Sequence, residues 1–276
     1  MIIHSDWHIH SENSYDASNP IAAIGDQANA QGMRYFGITD HANYNDDKFR
    51  KNIEDSAKNV KQLQAKYPNM VLGVELTPIE KPCYDYICEH GTRDGYSPPA
   101  REDRHDFLLP YTKEELSALG MRLAITAVHW SLIGPNARGG SIEKCIESWH
   151  CQQMALACDE RTTILGHPWY CGKALWYEDF SIIPRSMHLE LGAALKENGK
   201  YIECNSHFFR TPKATEKFRH QYAEFLRELF EMGVPVTYGS DSHHSYEDLR
   251  PKVEEYLSAA GFVDGDFSEL SEKDLW

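Results

Sequence analysis

Short apolar segments alternate along the chain with helical segments, and most of the apolar segments lead into a histidine or an acidic residue. Seven such apolar segments occur in the order MIIHSDWH, YFGIT, MVLGVE, LAITAV, TTILG, KYIEC and VPVTYGS. This alternation is typical of a parallel β-sheet whose connecting helices cover its outer face. We therefore predict an α/β fold with seven strands.

The polar strand ends favour a closed barrel over an open sheet. In an α/β barrel the loops that follow all the strands converge on one site, whereas an open doubly wound sheet gathers its ligands mainly at the switch point. The sequence also lacks a glycine-rich phosphate loop of the Walker or dinucleotide-binding type. The prediction is a TIM-barrel-like (β/α)7 barrel that forms a single domain over residues 1–276.

Capping residues and glycines predict where the helices lie. Asn19 and Pro20 are expected to begin the first helix as N-cap and first-turn proline. The other predicted helix signals are the segment from about Asp47 to Lys66, the Thr112/Glu115 capping box, Ser141, and the segments Arg185–Asn198 and Thr215–Met232.

Two long segments interrupt the alternation, at residues 80–111 and 168–184. Long irregular connections of this kind are usually functional or disordered, and the aromatic residues of the first segment favour an ordered lid. Aromatic side chains near these segments either wall a substrate pocket or serve plain packing. They are Trp130, Trp169, Tyr170 and Trp176.

The overall charge restricts the classes of partner. The net charge is −14, and the chain contains 14 histidines. An acidic surface repels long nucleic acid, whereas histidine and carboxylate side chains together hold divalent cations. No apolar run is long enough for a bilayer and no signal peptide is evident, so we expect a cytoplasmic protein without a membrane partner. The oligomeric state is left open, with a homo-oligomer as one alternative.

His8 and His10 lie two residues apart at the end of the first strand. Strand side chains repeat every two residues, so both imidazoles face the same side and can bind one metal ion. Asp241 and His243 have the same spacing after the last strand, which barrel closure brings beside the first. Either pair alone would be weak evidence for a metal, because histidines are often surface residues or satisfied core donors. Together they indicate a metal site.

Four further strand ends carry residues of the same type. Glu75 follows VLGV, an apolar segment in which an unpaired carboxylate would be costly. His41, His129 and His167 end or follow other strands. Each is individually compatible with a structural role, but their recurrence at successive strand ends favours metal ligation.

These motifs together resemble the PHP family, the polymerase and histidinol phosphatase domain. The resemblance rests on the N-terminal HxH, TDH, the strand-end glutamate, the isolated strand-end histidines, IECN and GSDSHHSYEDL, and it spans nearly the whole chain. It is nearest to stand-alone members that resemble histidinol phosphatases. It implies a distorted seven-stranded barrel and two or three bound divalent ions, usually zinc, iron or manganese.

The resemblance also implies a distribution of ligands over three metal ions. Glu75 would bridge the first two ions, and either Asp16 or, as an alternative in the same loop, Glu12 would serve the third. The implied sets are His8, His10, Glu75 and Asp241 for the first ion, Glu75, His129 and His167 for the second, and Asp16, His41 and His243 for the third.

The expected activity is hydrolysis of the phosphate monoester of a small metabolite, with histidinol phosphate as the leading substrate. Glu75 and Asp241 are expected to be catalytic as ligands at the reacting centre. Arg210 is expected to grip the phosphate in a bidentate manner, with Arg138 as a second candidate. The candidates for the general acid are His207 and His244, and Asn205 either positions a ligand or has a structural role.

Two other functions are compatible with parts of the pattern. A phosphodiesterase or nucleotide phosphatase acting on short nucleotides would use similar metal ions. A non-catalytic metal-binding module would be expected to lack several ligands, and none of the matched positions is lost.

Overall fold

The strands of the protein follow one another in chain order around a ring. The computed structural model describes residues 1–43, 47–80, 107–129 and 141–276. The strands are β1 Asp6–Ile9, β2 Phe36–Ile38, β3 His41–Ala42, β4 Met70–Leu72, β5 Val74–Leu76, β6 Ile79–Glu80, β7 Phe107–Leu108, β8 Ala124–Thr126, β9 Ile164–Leu165, β10 Tyr201–Asn205 and β11 Val236–Gly239. The helices are α1 Ile21–Ala30, α2 Asp47–Leu63, α3 Lys113–Ala118, α4 Ile142–Cys158, α5 Arg185–Glu197, α6 His207–Arg210, α7 Glu216–Glu231 and α8 Arg250–Ala259.

Parallel pairing joins these strands, except β6 and β7, into a barrel. One sheet has the order β1-β2-β4 and the other has the order β11-β10-β9-β8-β5-β3. On one side the two sheets are joined by the chain itself, because β2 and β4 of the first sheet continue directly into β3 and β5 of the second. On the other side Asp241 N donates to His8 O at 2.8 Å and His10 N donates to Ser242 O at 3.0 Å. The predicted α/β barrel is therefore confirmed.

The predicted strand MVLGVE is divided into the two short strands β4 and β5, and the predicted strand YFGIT is followed by the additional short strand β3. Between β4 and β5, Gly73 N donates to Ile38 O at 2.8 Å, whereas the next residue, Val74, donates to Leu123 O at 3.2 Å, so the chain changes its pairing partner at this point. A Cβ atom at Gly73 would lie 2.8 Å from the Leu123 side chain and 2.9 Å from that of Thr39. A glycine in a strand marks this kind of close approach and bend, and here it distorts the barrel.

The helix starts follow the predicted caps with one exception. The Thr112/Glu115 capping box is present, and Ser141 Oγ accepts from Lys144 N at 3.3 Å. Asn19 was expected to cap α1, but that prediction is wrong: the N-cap residue is Pro20, which supplies no side-chain bond.

Within the segment at 168–184, two tryptophans pack into the core. Trp169 and Trp176 are each 1% exposed, and Trp176 Nε1 donates to Trp169 O at 2.8 Å. A 3₁₀ helix at Phe180–Ile182 ends this segment. Of the two alternatives for these tryptophans, core packing is therefore the one that the structure shows, and Trp130 lies outside the described residues.

Only the ends of the other long segment lie within the described residues. There, β6 and β7 pair in the antiparallel direction. Residues 81–106 lie outside the described part of the chain, so the predicted lid stays a prediction. Among the described helices none combines the length and the apolar character needed to cross a bilayer.

A buried histidine on α5 gives a testable pH dependence of stability. His188 is 7% exposed and lies against the rings of Phe180 and Phe225, with centroids 5.1 and 4.6 Å away. Burial lowers the pKa of His188 from 6.5 to about 4. Below about pH 6.5 the unfolded chain therefore binds a proton that the folded protein excludes, so stability falls as the pH drops towards 4.

We expect the wild type to lose about 3 kcal/mol more than His188→Leu between about pH 7 and pH 4. Urea unfolding of both proteins at several pH values, in the presence of a chelator, measures this difference. Parallel pH profiles would show that His188 does not titrate in this way.

Candidate metal centre

The structure brings the nine predicted ligand side chains together at the carboxyl-terminal end of the barrel. This end is where the loops of an α/β barrel form its active site. The residues, with the strand that each belongs to or follows, are His8, His10 and Asp16 (β1), His41 (β3), Glu75 (β5), His129 (β8), His167 (β9), and Asp241 and His243 (β11).

Glu75 occupies the centre of this group and is fully buried. Its two carboxylate oxygens face imidazole nitrogens from five different histidines. The distances are 3.4 Å to His8 Nε2, 3.3 Å to His10 Nε2, 2.7 Å to His41 Nδ1, 3.5 Å to His129 Nε2 and 3.0 Å to His167 Nε2. A carboxylate in this position can serve more than one cation.

Asp241 completes the group on the side of barrel closure. Its Oδ1 atom lies 3.3 Å from His10 Nε2 and 3.7 Å from His8 Nε2. The backbone of Asp241 has a φ of 53°, in the left-handed region that residues other than glycine adopt uncommonly. Backbone strain of this kind clusters at functional sites.

Asp16, rather than Glu12, reaches the histidines. Asp16 Oδ2 lies 3.4 Å from His41 Nε2 and 3.5 Å from His243 Nε2. The carboxylate of Glu12 instead accepts a hydrogen bond from Ile21 N at 2.7 Å, at the start of α1. Of the two alternatives in this loop, the geometry favours Asp16.

The carboxylates and histidines shift each other's pKa values. Burial would raise the pKa of Glu75, but His41 and His8 hold it well below its usual range. Burial would lower the pKa of His41, but the carboxylates of Glu75 and Asp16 raise it to about 10. Without a metal ion, His41 is thus protonated at neutral pH, and a bound cation would release that proton.

The donor set fits divalent transition metals. Among the residues that the structure describes, three groups of side chains have ligand atoms within 4.8 Å of one another: His8, His10 and Glu75; His41, Glu75 and His129; and His10, His41 and His243. Imidazole nitrogen with carboxylate oxygen suits zinc, iron and manganese alike. His41 contacts Glu75 as well as Asp16, so it lies between the second and third predicted sets.

A cleft of about 300 Å³ opens onto this cluster. Among its lining residues are His207 and Arg210, both on α6, and the rings of Tyr15 and Tyr170. Arg210 is exposed, and its Nη2 atom donates to Asp241 O at 3.4 Å.

Of the two histidines proposed as the general acid, one lies in the cleft and the other lies outside it. His207 lies in the cleft, where burial lowers its pKa to about 4. His244 is exposed and pairs with Ser18 Oγ at 3.1 Å, outside the cleft lining. Arg138 lies outside the described residues.

Sequence reasoning assigned no role to two residues at this site. Glu203 is 1% exposed, and its Oε1 atom lies 2.7 Å from His8 Nδ1. The sequence signal that could have marked it is its spacing of two residues from Asn205, which puts both side chains on the same side of β10. Tyr15 borders the cleft without any motif that marks it. Tyr170, for which a pocket wall was one of the two alternatives, does line the cleft, and its ring centroid lies 5.0 Å from that of His167.

A family model for the PHP domain matches residues 6–207, well over half of the chain. The chain belongs to the PHP domain family. The matched range includes seven of the nine clustered residues, all except Asp241 and His243.

Two relatives of this PHP domain protein are informative. A probable phosphatase from Acetivibrio thermocellus is 50% identical over 54 residues, so the match spans only 21% of that protein's length and 20% of this chain. The crystal structure of a histidinol phosphate phosphatase from Lactococcus lactis subsp. lactis, complexed with zinc, L-histidinol and phosphate, has a TM-score of 0.72. It is 19% identical and the alignment covers 100% of this chain and 99% of that chain, which shows a shared fold.

Proposed function

We propose that this PHP domain protein is a metal-dependent phosphatase that hydrolyses the phosphate monoester of a small metabolite. The observation that carries the proposal is the position of Glu75, fully buried among five imidazoles at the carboxyl-terminal end of the barrel. Two or three divalent ions of zinc, iron or manganese would be held by the clustered histidines, Glu75, Asp16 and Asp241.

The protein side chains would bind and orient the phosphate. When bound, divalent cations activate water for attack on phosphorus and neutralise charge on the phosphate oxygens. Arg210 would donate to those oxygens, because it lines the cleft and its guanidinium makes only one hydrogen bond within the described residues, the long one to Asp241 O at 3.4 Å. Arginine suits this task because its planar donors match phosphate geometry.

His207 is the candidate in this cleft for protonating the leaving oxygen. Burial keeps its ring neutral at neutral pH, since its pKa is lowered to about 4. A bound phosphate would place negative charge beside the ring and raise this pKa. His207 would then take up a proton as substrate binds and return it to the leaving group.

Histidinol phosphate is the leading candidate substrate. A cleft of about 300 Å³ suits a small ligand. The Lactococcus lactis relative was crystallised with L-histidinol and phosphate, and the Acetivibrio thermocellus relative is named a probable phosphatase, which supports this choice.

The test combines metal analysis with a comparison of substrates. We expect purified protein to contain two or three metal ions per chain, and to hydrolyse an aryl phosphate and histidinol phosphate but not a bis-aryl phosphate diester. Chelation should abolish the activity, and restoring zinc, manganese or iron should recover it. Folded protein that binds no metal, or that hydrolyses only the diester, would contradict the proposal.

Loss of the Arg210 guanidinium should weaken substrate binding without removing metal. For Arg210→Ala we expect kcat/KM to fall by about 10- to 100-fold, since hydrogen bonds to charged groups contribute about 1.5–3 kcal/mol. Steady-state kinetics and metal analysis check this expectation. Arg34→Ala, at a side chain that is 59% exposed outside the cleft, serves as the matched control. Equal kinetics for both variants would exclude Arg210 from substrate binding.

A further inference from the structure

A carboxylate lies directly behind the metal-facing histidine of the first strand. Glu203, on β10, is 1% exposed, and its Oε1 atom lies 2.7 Å from His8 Nδ1. The other ring nitrogen of His8, Nε2, faces Glu75 Oε2 at 3.4 Å and Asp241 Oδ1 at 3.7 Å. His8 thus connects Glu203 on one side with the metal cluster on the other.

The second oxygen of Glu203 is also fully engaged. Its Oε2 atom accepts from the backbone N–H of His167 and from Asn205 Nδ2, the latter at 3.1 Å. Asn205 Nδ2 in turn lies 3.3 Å from Asp241 Oδ2. One buried carboxylate therefore contacts two of the clustered histidines directly and a third cluster member through Asn205.

We infer that Glu203 is a positioning residue that holds His8 with Nδ1–H donating to its carboxylate and Nε2 free to bind a metal ion. Histidine ligands are commonly oriented by such a carboxylate on the remote ring nitrogen, which fixes the tautomer and the ring angle. This inference rests on the metal binding in the proposed function. It adds a residue that touches neither metal nor substrate.

The glycine opposite Glu203 shows how tightly the carboxylate is held. A Cβ atom built on Gly239, in the neighbouring strand β11, would lie 1.8 Å from Glu203 Oε1 and 2.7 Å from His8 Cβ. Any side chain at this position would displace the carboxylate from His8. Gly239 therefore supplies the space in which the Glu203–His8 contact forms.

Replacing Glu203 by glutamine separates hydrogen bonding from shape. A carboxylate accepts at both oxygens, whereas a carboxamide accepts at one end and donates at the other. The amide oxygen is expected to take the Oε2 position, where two N–H groups point, so its NH₂ group would face His8 Nδ1. His8 would then favour a proton on Nε2, which blocks that atom as a ligand.

The experiment measures zinc affinity by competition with a chromophoric chelator for the full-length wild type, Glu203→Gln and the exposed control Glu224→Gln. We expect Glu203→Gln to bind zinc about 10- to 100-fold more weakly, and the control to match the wild type. In ¹⁵N-histidine-labelled, zinc-loaded protein, the wild type should show an exchange-protected His8 Nδ1–H resonance, assigned by its loss in His8→Gln. That resonance should be absent from Glu203→Gln.

Gly239→Ala is a second variant that keeps every charge and ligand, and we expect it to weaken zinc binding as well. Folded variants with wild-type zinc affinity and an unchanged His8 resonance would overturn the inference. Wild-type protein that binds no zinc would overturn it together with the proposed function. Wild-type protein that binds zinc but hydrolyses no phosphate ester would overturn the proposed function alone, and the affinities would still decide the role of Glu203.

Discussion

Replacement of Glu75 by glutamine is expected to lower phosphatase activity by about 10³-fold and to remove at least one metal ion. Glutamine preserves the volume of this fully buried side chain but removes the negative charge that faces five imidazoles. Metal ions at a phosphoryl centre supply several kcal/mol of transition-state stabilisation, and each 1.36 kcal/mol is about tenfold in rate. Measurement of kcat/KM alongside the metal content of the same preparation tests the prediction.

The matched control for Glu75→Gln is Glu255→Gln, the same exchange at an exposed position on α8. It should retain the activity and the metal content of the wild type. A Glu75→Gln protein with full metal content and near-normal activity would show that the central carboxylate is not a ligand that the reaction needs.

Removal of the metal ions is expected to lower the melting temperature by about 10 °C. A ligand present at 1,000 times its dissociation constant stabilises the folded state by about 4 kcal/mol, and each kcal/mol shifts the melting temperature of a chain of this size by about 2–4 °C. We expect the stabilisation because bound metal ions would pair with ligand groups that are buried close together: His8, His10 and Glu75 are all fully buried. Thermal unfolding after chelation, with and without restored zinc, measures the shift.

Two variants separate this effect from nonspecific binding of metal. His10→Ala combined with Asp241→Ala should lose most of the metal-induced shift, whereas His220→Ala, at an exposed histidine on α7, should keep it. Identical melting temperatures for chelated and zinc-loaded wild type would mean that the cluster binds no stabilising ion.

The strand ends made the barrel and the cluster predictable from the sequence. Where an apolar segment such as VLGV stops at Glu75, the alternation of helices and strands already places that residue at one end of a parallel barrel. The spacing of His8 and His10 likewise requires that both rings face the same side, and their Nε2 atoms lie 3.1 Å apart. Local periodicity is sufficient for such conclusions because each ligand is attached to a regular element. The extent of the domain and the identity of the general acid stay predictions.

Features that depend on contacts between distant segments were not predictable. The break between β4 and β5 lies at Gly73, which approaches the side chain of Leu123 on a later part of the chain. Trp169 and Trp176 resemble pocket residues in the sequence, but neighbouring core side chains enclose them. Glu203 was missed because a single glutamate within a strand carries no marker of its partner, which is His8 near the other end of the chain.

The closure of the barrel between β1 and β11 has a consequence for biosynthesis. The backbone bonds between His8 and Asp241 and between His10 and Ser242 join the beginning of the described chain to a point close to its end. A nascent chain that has emerged from the ribosome only as far as α7 contains His8, His10 and Glu75 but has neither Asp241 nor His243. Such long-range contacts form late, because the entropy of closing the chain must be overcome first. The predicted ligand set should therefore be complete only after β11 and the residues that follow it, as far as His243, have been synthesised and have joined β1.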